Sequence, residues 1–193
     1  MKHPEGLSNI FPTQIGTYHI DLDKKYINSV MQDYKISPFD LLNRGCSSYK
    51  QSADSDYFLF DPRLDNLKKQ IISKLDDYTS KTFLAKCGIT SSWFNKMDGN
   101  GSVNAHRHNG SVISGALYLD VPDNASPLVF KDPTDPYRMM ELCTYFTDHY
   151  AIDVYDGLLI LFPSWLEHKT FPQKDPRTVI SFNTIHINAT DTL

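Results

Sequence analysis

From about residue 83 onward, short segments rich in β-branched and aromatic residues alternate with turn-forming residues about every 8 to 15 positions. Many short strands without intervening helices favour an antiparallel sandwich or barrel over a parallel sheet. Hairpin turns are predicted at Asp98–Gly101 and Asp156–Gly157. We therefore expect a mainly β fold with flanking helices (α+β). The predicted strands are Ile89–Met97, Val103–His106, Val112–Val121, Leu128–Phe130, Ala151–Tyr155, Leu158–Phe162 and Arg177–Ile185.

Two amphipathic helices are predicted in the first part of the chain. The first runs from about Lys24 to Tyr34 and has Asp21 or Asp23 as its N-cap. The second is capped by Asp61, with Pro62 at the first helical position. Its apolar stripe consists of Leu64, Leu67, Ile71, Leu75 and Tyr78. Both helices are expected to pack against the β-structure.

A chain of 193 residues predicts a single domain. Within it we expect residues 1–82 to form a helical and irregular buttress and residues 83–187 to form the β-core. The net charge of −4, without a run of Lys or Arg, argues against a dedicated nucleic-acid surface. The chain is expected to be a monomer or a homodimer.

The location in the cell is predicted from the cysteines and from apolar runs. Cys46, Cys87 and Cys143 are odd in number and widely spaced, which indicates reduced thiols. No apolar run approaches the roughly 18 residues of a membrane span, and the first residues lack the apolar region of a signal peptide. These observations predict a cytoplasmic protein without a membrane partner.

Two histidines near the turn Asn109-Gly110 form the first candidate site. In a strand, residues i and i+2 share a face, so His106 and His108 would point to one side and Arg107 to the other. Two imidazoles on one face can bind a metal ion. A histidine pair near a turn can equally be solvated or hydrogen-bonded, so the pair alone leaves both interpretations open.

A third histidine and an arginine form the second candidate site. His168 follows an apolar strand and a proline-containing bend, and Arg177 opens another β-pattern segment nine positions later. A guanidinium at the start of an apolar strand is costly to bury unless an anion meets it. The anion would be a bound carboxylate or an internal Asp or Glu.

Taken together, His106-x-His108, the distal His168 and the following Arg177 resemble the motif order of 2-oxoglutarate-dependent Fe(II) oxygenases. The likeness extends to a short-chain, prolyl-hydroxylase-like subgroup that is common in phage and marine bacterial genomes. If the protein is encoded by a phage, we expect it in the cytoplasm of the host. The likeness covers about residues 83–187. The blocks that carry it are Ser92-Trp93-Phe94-Asn95, Ser114-Gly115, Phe130-x-Asp132-Pro133, Gly157, Phe162-Pro163-Ser164-Trp165-Leu166-x-His168 and Ser181-Phe182-Asn183.

The resemblance implies a double-stranded β-helix core, a jelly-roll of the cupin type. It also implies a dioxygenase that uses Fe(II), 2-oxoglutarate and dioxygen, with ascorbate as a stimulant, to hydroxylate an unactivated C–H bond and release succinate. The expected substrate is a peptidyl prolyl or other protein side chain, or a small molecule. The implied metal ligands are His106, His108 and His168, and the implied co-substrate residues are Arg177, Tyr118 and Ser114.

Two residues depart from the pattern of that family. His108 stands where the family has Asp or Glu, and Asn109 stands where the subgroup has proline. Three histidine ligands would leave Fe(II) with a formal charge of +2 until the co-substrate binds. Alternatively, only His106 and His168 coordinate the metal, and His108 lies just outside its ligand shell.

Other functions and roles remain open at this point. A cupin-type three-histidine dioxygenase without 2-oxoglutarate would have no need of Arg177, and a non-catalytic jelly-roll module would need none of these residues. Four aromatic residues could wall a pocket or fill the core: Trp93, Phe130, Trp165 and Phe171. Lys131 and Arg138 could contact substrate or lie in a solvated loop, and segment 132–150 is expected to influence substrate choice.

Overall fold

Two antiparallel sheets pack together in the computed structural model, which describes residues 12–51, 56–82, 84–134 and 148–187. The strands are β1 (Gly16–His19), β2 (Ser37–Pro38), β3 (Leu42–Ser47), β4 (Cys87–Val103), β5 (Ile113–Asp120), β6 (Leu128–Lys131), β7 (His149–Ile152), β8 (Leu158–Pro163), β9 (His168–Lys169) and β10 (Arg177–His186). The helices are α1 (Lys24–Met31) and α2 (Asp65–Lys81). The larger sheet has the order β1-β8-β5-β10-β4-β3-β2, and the smaller has the order β7-β6-β9. This arrangement confirms the mainly β fold with flanking helices.

The central strands of the large sheet are buried on both faces, which explains why β8 is an unbroken apolar run. Leu159 and Leu161 point to the side covered by the helices, where they join one apolar cluster. Ile160 and Phe162 point to the opposite side and join a second cluster between the two sheets. Alternation along the strand thus supplies both cores.

Helix α1 begins where the sequence predicts and ends earlier. The Asp23 carboxylate caps it by accepting a hydrogen bond from the Tyr26 amide at 3.0 Å, whereas Asp21 does not serve as the cap. The helix ends at Met31, and the Tyr34 amide closes a turn on the Met31 carbonyl at 3.2 Å.

The second helix begins with a short 3-10 turn. Pro62 opens this turn, and the Asp61 carboxylate accepts the Arg63 amide at 3.0 Å, so Asp61 is the cap that the sequence predicts. The α-helical part starts at Asp65. The predicted apolar stripe is buried against the large sheet: Leu64, Leu67, Ile71, Leu75 and Tyr78. Neither helix in the described ranges is long and apolar enough to span a bilayer.

Three strands that we did not predict come from the first 50 residues. Strand β1 pairs with β8 at one edge of the large sheet, and β3 pairs with β4 near the other edge, followed by β2. The N-terminal segment therefore extends the sheet that carries the site as well as supporting it with helices.

The predicted hairpin at Asp98–Gly101 is wrong, as is the separate strand Val103–His106. Strand β4 continues through this segment to Val103, and the four residues form a bulge opposite β3, between the pairs Gly45↔Met97 and Asn43↔Ser102. Asn100 adopts a left-handed φ of 63° there, and its amide donates to the Gln173 carbonyl at 2.5 Å. An external backbone acceptor thus stabilises a bulge where the sequence favours a turn.

The predicted hairpin at Asp156–Gly157 is also wrong. Strand β7 pairs with β6 in the small sheet, whereas β8 pairs with β5 and β1 in the large sheet. Gly157, with φ of 84°, turns the chain from one sheet to the other. The Asp156 carboxylate accepts the Val121 amide at 2.8 Å and fixes this crossing.

Candidate metal centre

Three histidines from two segments of the chain converge between the sheets. Ligand nitrogens of His106, His108 and His168 all lie within 4.8 Å of one another. His106 follows β4, and its backbone exchanges two 3.1 Å hydrogen bonds with that of His168. The His108 amide donates to the Ser164 carbonyl at 2.9 Å. These backbone bonds fasten the His-x-His segment to the segment around His168.

Hydrogen bonds orient two of the three imidazoles. Nδ1 of His106 lies 2.9 Å from the Asn104 carbonyl, and Nδ1 of His168 lies 3.0 Å from the Leu166 carbonyl. Because a carbonyl only accepts, each Nδ1 must carry the proton, which leaves the lone pair of Nε2 available to a metal. Within the described ranges, no equivalent bond orients the His108 ring.

Burial favours the neutral form of all three imidazoles, which is the form that binds metal. Burial, together with the neighbouring His106, lowers the pKa of His168 to about 3 and that of His108 to about 4. The pKa of His106 is also lowered by burial, although its hydrogen bond to Asn104 opposes the shift. The donor set is therefore a fit for a divalent transition metal ion.

Arg177 is a buried cation without an acidic partner among the described residues. It is 1% exposed at the start of β10, and its Nη1 donates to the Ser126 carbonyl at 2.7 Å. Its Nε has no hydrogen-bond partner, and its guanidinium lies 5.6 Å from the centre of the Tyr118 ring. Burial lowers its pKa, but a guanidinium stays charged in proteins. The internal salt bridge considered from the sequence is therefore not formed with any described residue.

One cavity between the sheets connects the histidine cluster with the arginine. Its wall includes all three histidines, Arg177 and Tyr118. Burial raises the pKa of Tyr118 to about 12, so its phenol is neutral and can donate a hydrogen bond. The remaining lining residues are mostly apolar: Leu41, Trp93, Asn95, Met97, Val103, Gly115, Ala116, Leu128, Phe162, Thr170, Val179 and Ser181.

Ser114 is not among the residues that line this cavity. Its hydroxyl lies 2.8 Å from the Ser164 hydroxyl and 2.8 Å from Oδ1 of Asn183. Ser114 shares a strand face with Tyr118, but its hydrogen-bonding capacity is used within the large sheet and the adjoining bend. The structure gives no support for its expected contact with the co-substrate.

The four aromatic residues singled out from the sequence divide into three groups. Trp93 lines the cavity, with its ring centre 6.1 Å from that of His108. Phe130 is core, packed 6.0 Å from His168. Trp165 and Phe171 are 53% and 51% exposed, so they are neither cavity wall nor core.

The structure describes only part of the loop residues that were expected to contact substrate. Lys131 ends β6 and lines a separate surface groove beside His149 and Tyr150. Arg138, Cys143 and most of segment 132–150 lie outside the described residues.

Sequence reasoning assigned no site role to most of the cavity wall, including Asn95 and Leu41. Asn95 follows Trp93 by two positions along β4, so strand alternation could have found it. Its Oδ1 is buried without a hydrogen-bond partner. Leu41 precedes β3, and nothing in its local sequence indicates a position beside the histidines.

Comparisons with known proteins agree with this geometry. Residues 91–183 match a family model for 2OG-Fe(II) oxygenases. A search of curated proteins gives no match.

Several solved structures share the fold at low identity. A prolyl-4-hydroxylase from Pseudomonas putida has a TM-score of 0.59 at 9% identity, covering 91% of this chain and 94% of its own. A viral collagen prolyl hydroxylase from Paramecium bursaria Chlorella virus-1 has a TM-score of 0.56 at 10% identity, covering 90% and 96%. An α-ketoglutarate-dependent epimerase from nogalamycin biosynthesis has a TM-score of 0.64 at 10% identity, covering 90% and 79%.

The core is therefore a double-stranded β-helix, as expected. The match over residues 91–183 spans the three clustered histidines and Arg177. Residues 91–183 are thus similar to 2-oxoglutarate/Fe(II)-dependent oxygenases, and the chain shares its fold with solved structures of such enzymes.

Proposed function

We propose that His106, His108 and His168 hold Fe(II) and that Arg177 binds the far carboxylate of 2-oxoglutarate. Bound iron would supply the activation of dioxygen that hydroxylates a C–H bond, while 2-oxoglutarate leaves as succinate and carbon dioxide. The protein contributes the metal ligands, the arginine that binds the carboxylate and a mostly apolar cavity.

One observation carries this proposal: Arg177 is buried, lacks a described acidic partner, and shares a cavity with the histidine cluster. A buried guanidinium in this setting is stabilised by a carboxylate ligand, which it can bind through two parallel hydrogen bonds. A cupin-type enzyme that uses no 2-oxo acid would leave this charge uncompensated, so the arginine favours the 2-oxoglutarate-dependent reaction.

One neutral side chain and two backbone carbonyls support this proposal. The Tyr118 phenol lies beside Arg177 and would donate to the co-substrate. The carbonyls of Asn104 and Leu166 hold two imidazoles with Nε2 free, so that the metal meets preoriented ligands.

For the substrate we propose a peptidyl prolyl side chain or another protein side chain, with small molecules as the second class. The apolar wall of Leu41 and Trp93 beside the histidines suits an aliphatic group that presents a C–H bond. The free thiols of Cys46 and Cys87 support the expected cytoplasmic location.

The test is an anaerobic titration of the full chain with Fe(II) and then 2-oxoglutarate, followed by visible absorption. A chelated 2-oxo acid gives a metal-to-ligand charge-transfer band. We expect this band in the wild type, its loss in His168→Ala, and a raised 2-oxoglutarate requirement in Arg177→Ala. His19→Ala serves as the matched control, because His19 is an exposed histidine outside the cluster.

Two outcomes would reject the proposal. Tight binding of both ligands by His168→Ala and Arg177→Ala would show that these residues are not the site. Metal binding without any response to 2-oxoglutarate would instead favour the cupin-type alternative.

The role of His108 has its own test. Near-normal iron affinity in His108→Ala would place this histidine outside the ligand shell.

A further inference from the structure

The tripeptide Asn-Gly-Ser occurs at residues 100–102 and again at residues 109–111. Both copies contain the same reactive groups, because the backbone nitrogen of each glycine can attack the side-chain amide of the asparagine before it. Glycine favours this attack, since it has no Cβ to hinder the approach. A large difference in reactivity between the two copies in the folded chain must therefore come from the structure around them.

The first copy is held within strand β4. The Asn100 amide donates to the Gln173 carbonyl at 2.5 Å, and the Gln173 amide donates to the Gly101 carbonyl at 3.3 Å. Gly101 is buried, and a Cβ at this position would lie 2.5 Å from the Arg44 carbonyl oxygen. The Gly101 nitrogen therefore cannot turn toward the Asn100 side chain unless this part of the strand opens.

The second copy lies in a turn at the protein surface. Asn109 and Gly110 are both exposed. Gly110 has a left-handed φ of 79°, and a Cβ there would meet no atom within 4 Å apart from its chain neighbours. In the part of the chain that the structure describes, neither the Asn109 side chain nor the Gly110 amide makes a hydrogen bond. Both reacting groups are thus accessible and not engaged by other residues.

Backbone hydrogen bonds fix this turn at its two ends. The His108 amide donates to the Ser164 carbonyl at 2.9 Å, and the Val112 amide donates to the Thr184 carbonyl at 2.9 Å. The residues between these bonds can change their backbone angles while both ends stay paired. An exposed turn costs little free energy to rearrange, whereas a buried and paired strand costs much more to open.

We propose that Asn109 is a modification site at which the chain itself converts the asparagine to aspartate and isoaspartate. The Gly110 nitrogen forms a bond to Cγ of Asn109, and the side-chain nitrogen leaves as ammonia, taking up the proton of the Gly110 amide. Water then opens the succinimide ring at one of its two carbonyl carbons. Opening at Cγ gives aspartate, and opening at the backbone carbonyl gives isoaspartate. No oxidant, metal or co-substrate takes part, so the site is independent of the proposed function.

The modification changes the turn in charge and in length. Either product carries a carboxylate directly after His108, where the chain starts with a neutral amide. In isoaspartate the backbone also passes through Cβ of residue 109, which lengthens the path between His108 and Val112. The proline that the resembling subgroup has at this position offers no side-chain amide, so the reaction is a property of this chain.

The test follows both copies within the same full-length protein during incubation at mildly alkaline pH. Trypsin cleaves after Arg107 and separates the copies into two peptides, and mass spectrometry with fragmentation locates the modified residue. In the folded chain we expect Asn109 to react at least about tenfold faster than Asn100, which corresponds to about 1.4 kcal/mol of additional opening free energy in the strand. In urea the two rates should be comparable, since the structure is lost.

A variant identifies the reacting side chain. Asn109→Gln should remove the modification from this turn, because the longer side chain closes the corresponding ring far more slowly. Folding of the variant does not limit the test, since the main comparison is made within the wild-type chain.

Two results would overturn the site. The first is an Asn100 rate in the folded chain equal to or above that of Asn109, because the structure would then not select the exposed copy. The second is an Asn109 rate in the folded chain more than about tenfold below its rate in urea, since the turn would then protect the residue.

Discussion

At the scale of single residues, Arg177 has opposite effects on stability and on binding. Its guanidinium is 1% exposed and has one strong hydrogen bond, to the Ser126 carbonyl, while its Nε is unpartnered. A buried charge with incomplete partners destabilises the fold relative to an apolar side chain of similar size. The residue is therefore better explained by a ligand than by folding.

This argument predicts the behaviour of Arg177→Met. Urea unfolding should show a stability equal to the wild type or higher by about 1–4 kcal/mol. The affinity for 2-oxoglutarate should fall by about 30-fold or more, since losing one partner of a buried charge pair costs about 2–5 kcal/mol. Arg107→Met is the control, because Arg107 is 57% exposed and should change neither quantity. Reduced stability with unchanged affinity would show that Arg177 is structural.

The histidine cluster predicts a pH dependence of stability for the metal-free protein. The pKa of His168 is about 3 in the folded state, against an ordinary value of about 6.5 in the unfolded state. Between these values the unfolded chain binds more protons, so stability must fall as the pH falls below about 6.5. From pH 7 to pH 5 this histidine alone should cost about 2 kcal/mol.

The measurement is urea unfolding of chelator-treated protein at pH 7 and pH 5. His168→Gln has no imidazole at this position, so it should lose about 2 kcal/mol less than the wild type over this interval. Identical losses in the two proteins would mean that His168 is not held neutral in the folded state.

At the scale of elements, the close contact between β5 and β10 depends on Gly115. A Cβ at this position would lie 2.1 Å from Cζ of Phe182, inside van der Waals contact. We expect Gly115→Ala to lower the free energy of unfolding by about 1–3 kcal/mol, because overpacking displaces a ring in a filled core. Thermal or urea unfolding measures the loss.

A second substitution checks the mechanism of that loss. Combined with Phe182→Leu, which removes part of the ring, Gly115→Ala should cost less than it does alone. Strictly additive effects would show that the ring contact is not the cause.

The sequence predicts the elements better than it predicts their connections. Alternation and apolar periodicity identify α2, β5, β6, β8 and β10 within a few residues. The segments Asp98–Gly101 and Asp156–Gly157 have the composition of hairpin turns, yet one is a bulge and the other a crossing between sheets. Both outcomes depend on distant groups, the Gln173 carbonyl and the Val121 amide, which local composition cannot indicate.

The same limit applies to the site. The spacing of His106, His168 and Arg177 points to one cavity, and the structure brings them together there. The sequence predicts that His106 ends a strand. In the structure, an isolated backbone pairing with His168 fixes the position of His106 instead. Leu41 reaches the cavity through the pairing of β3 with β4, a long-range contact without a local pattern.

At the scale of the whole molecule, the metal should act as a cross-link between distant parts of the chain. His106 follows β4 in the large sheet, and His168 belongs to β9 in the small sheet. A ligand that binds only the folded state stabilises it by about 2.7 kcal/mol at 100 times its Kd. A protein of this size gains about 2–4 °C in Tm for each kcal/mol.

We therefore expect Mn(II), as a redox-stable substitute for Fe(II), to raise Tm by about 5–10 °C at that concentration. Anaerobic thermal unfolding with and without the metal measures the shift, which should vanish in the double variant His106→Ala/His168→Ala. An equal shift in that variant would place the metal elsewhere on the protein.

The central claim is that the three histidines and Arg177 bind the metal and the co-substrate in one cavity. An anaerobic crystal structure of the full chain with Mn(II) and 2-oxoglutarate tests it most directly. The account predicts a metal on Nε2 of His106 and His168 and on the His108 ring, and the far carboxylate of 2-oxoglutarate on the guanidinium of Arg177. A metal bound away from the histidines, or a co-substrate that makes no contact with Arg177, would contradict it.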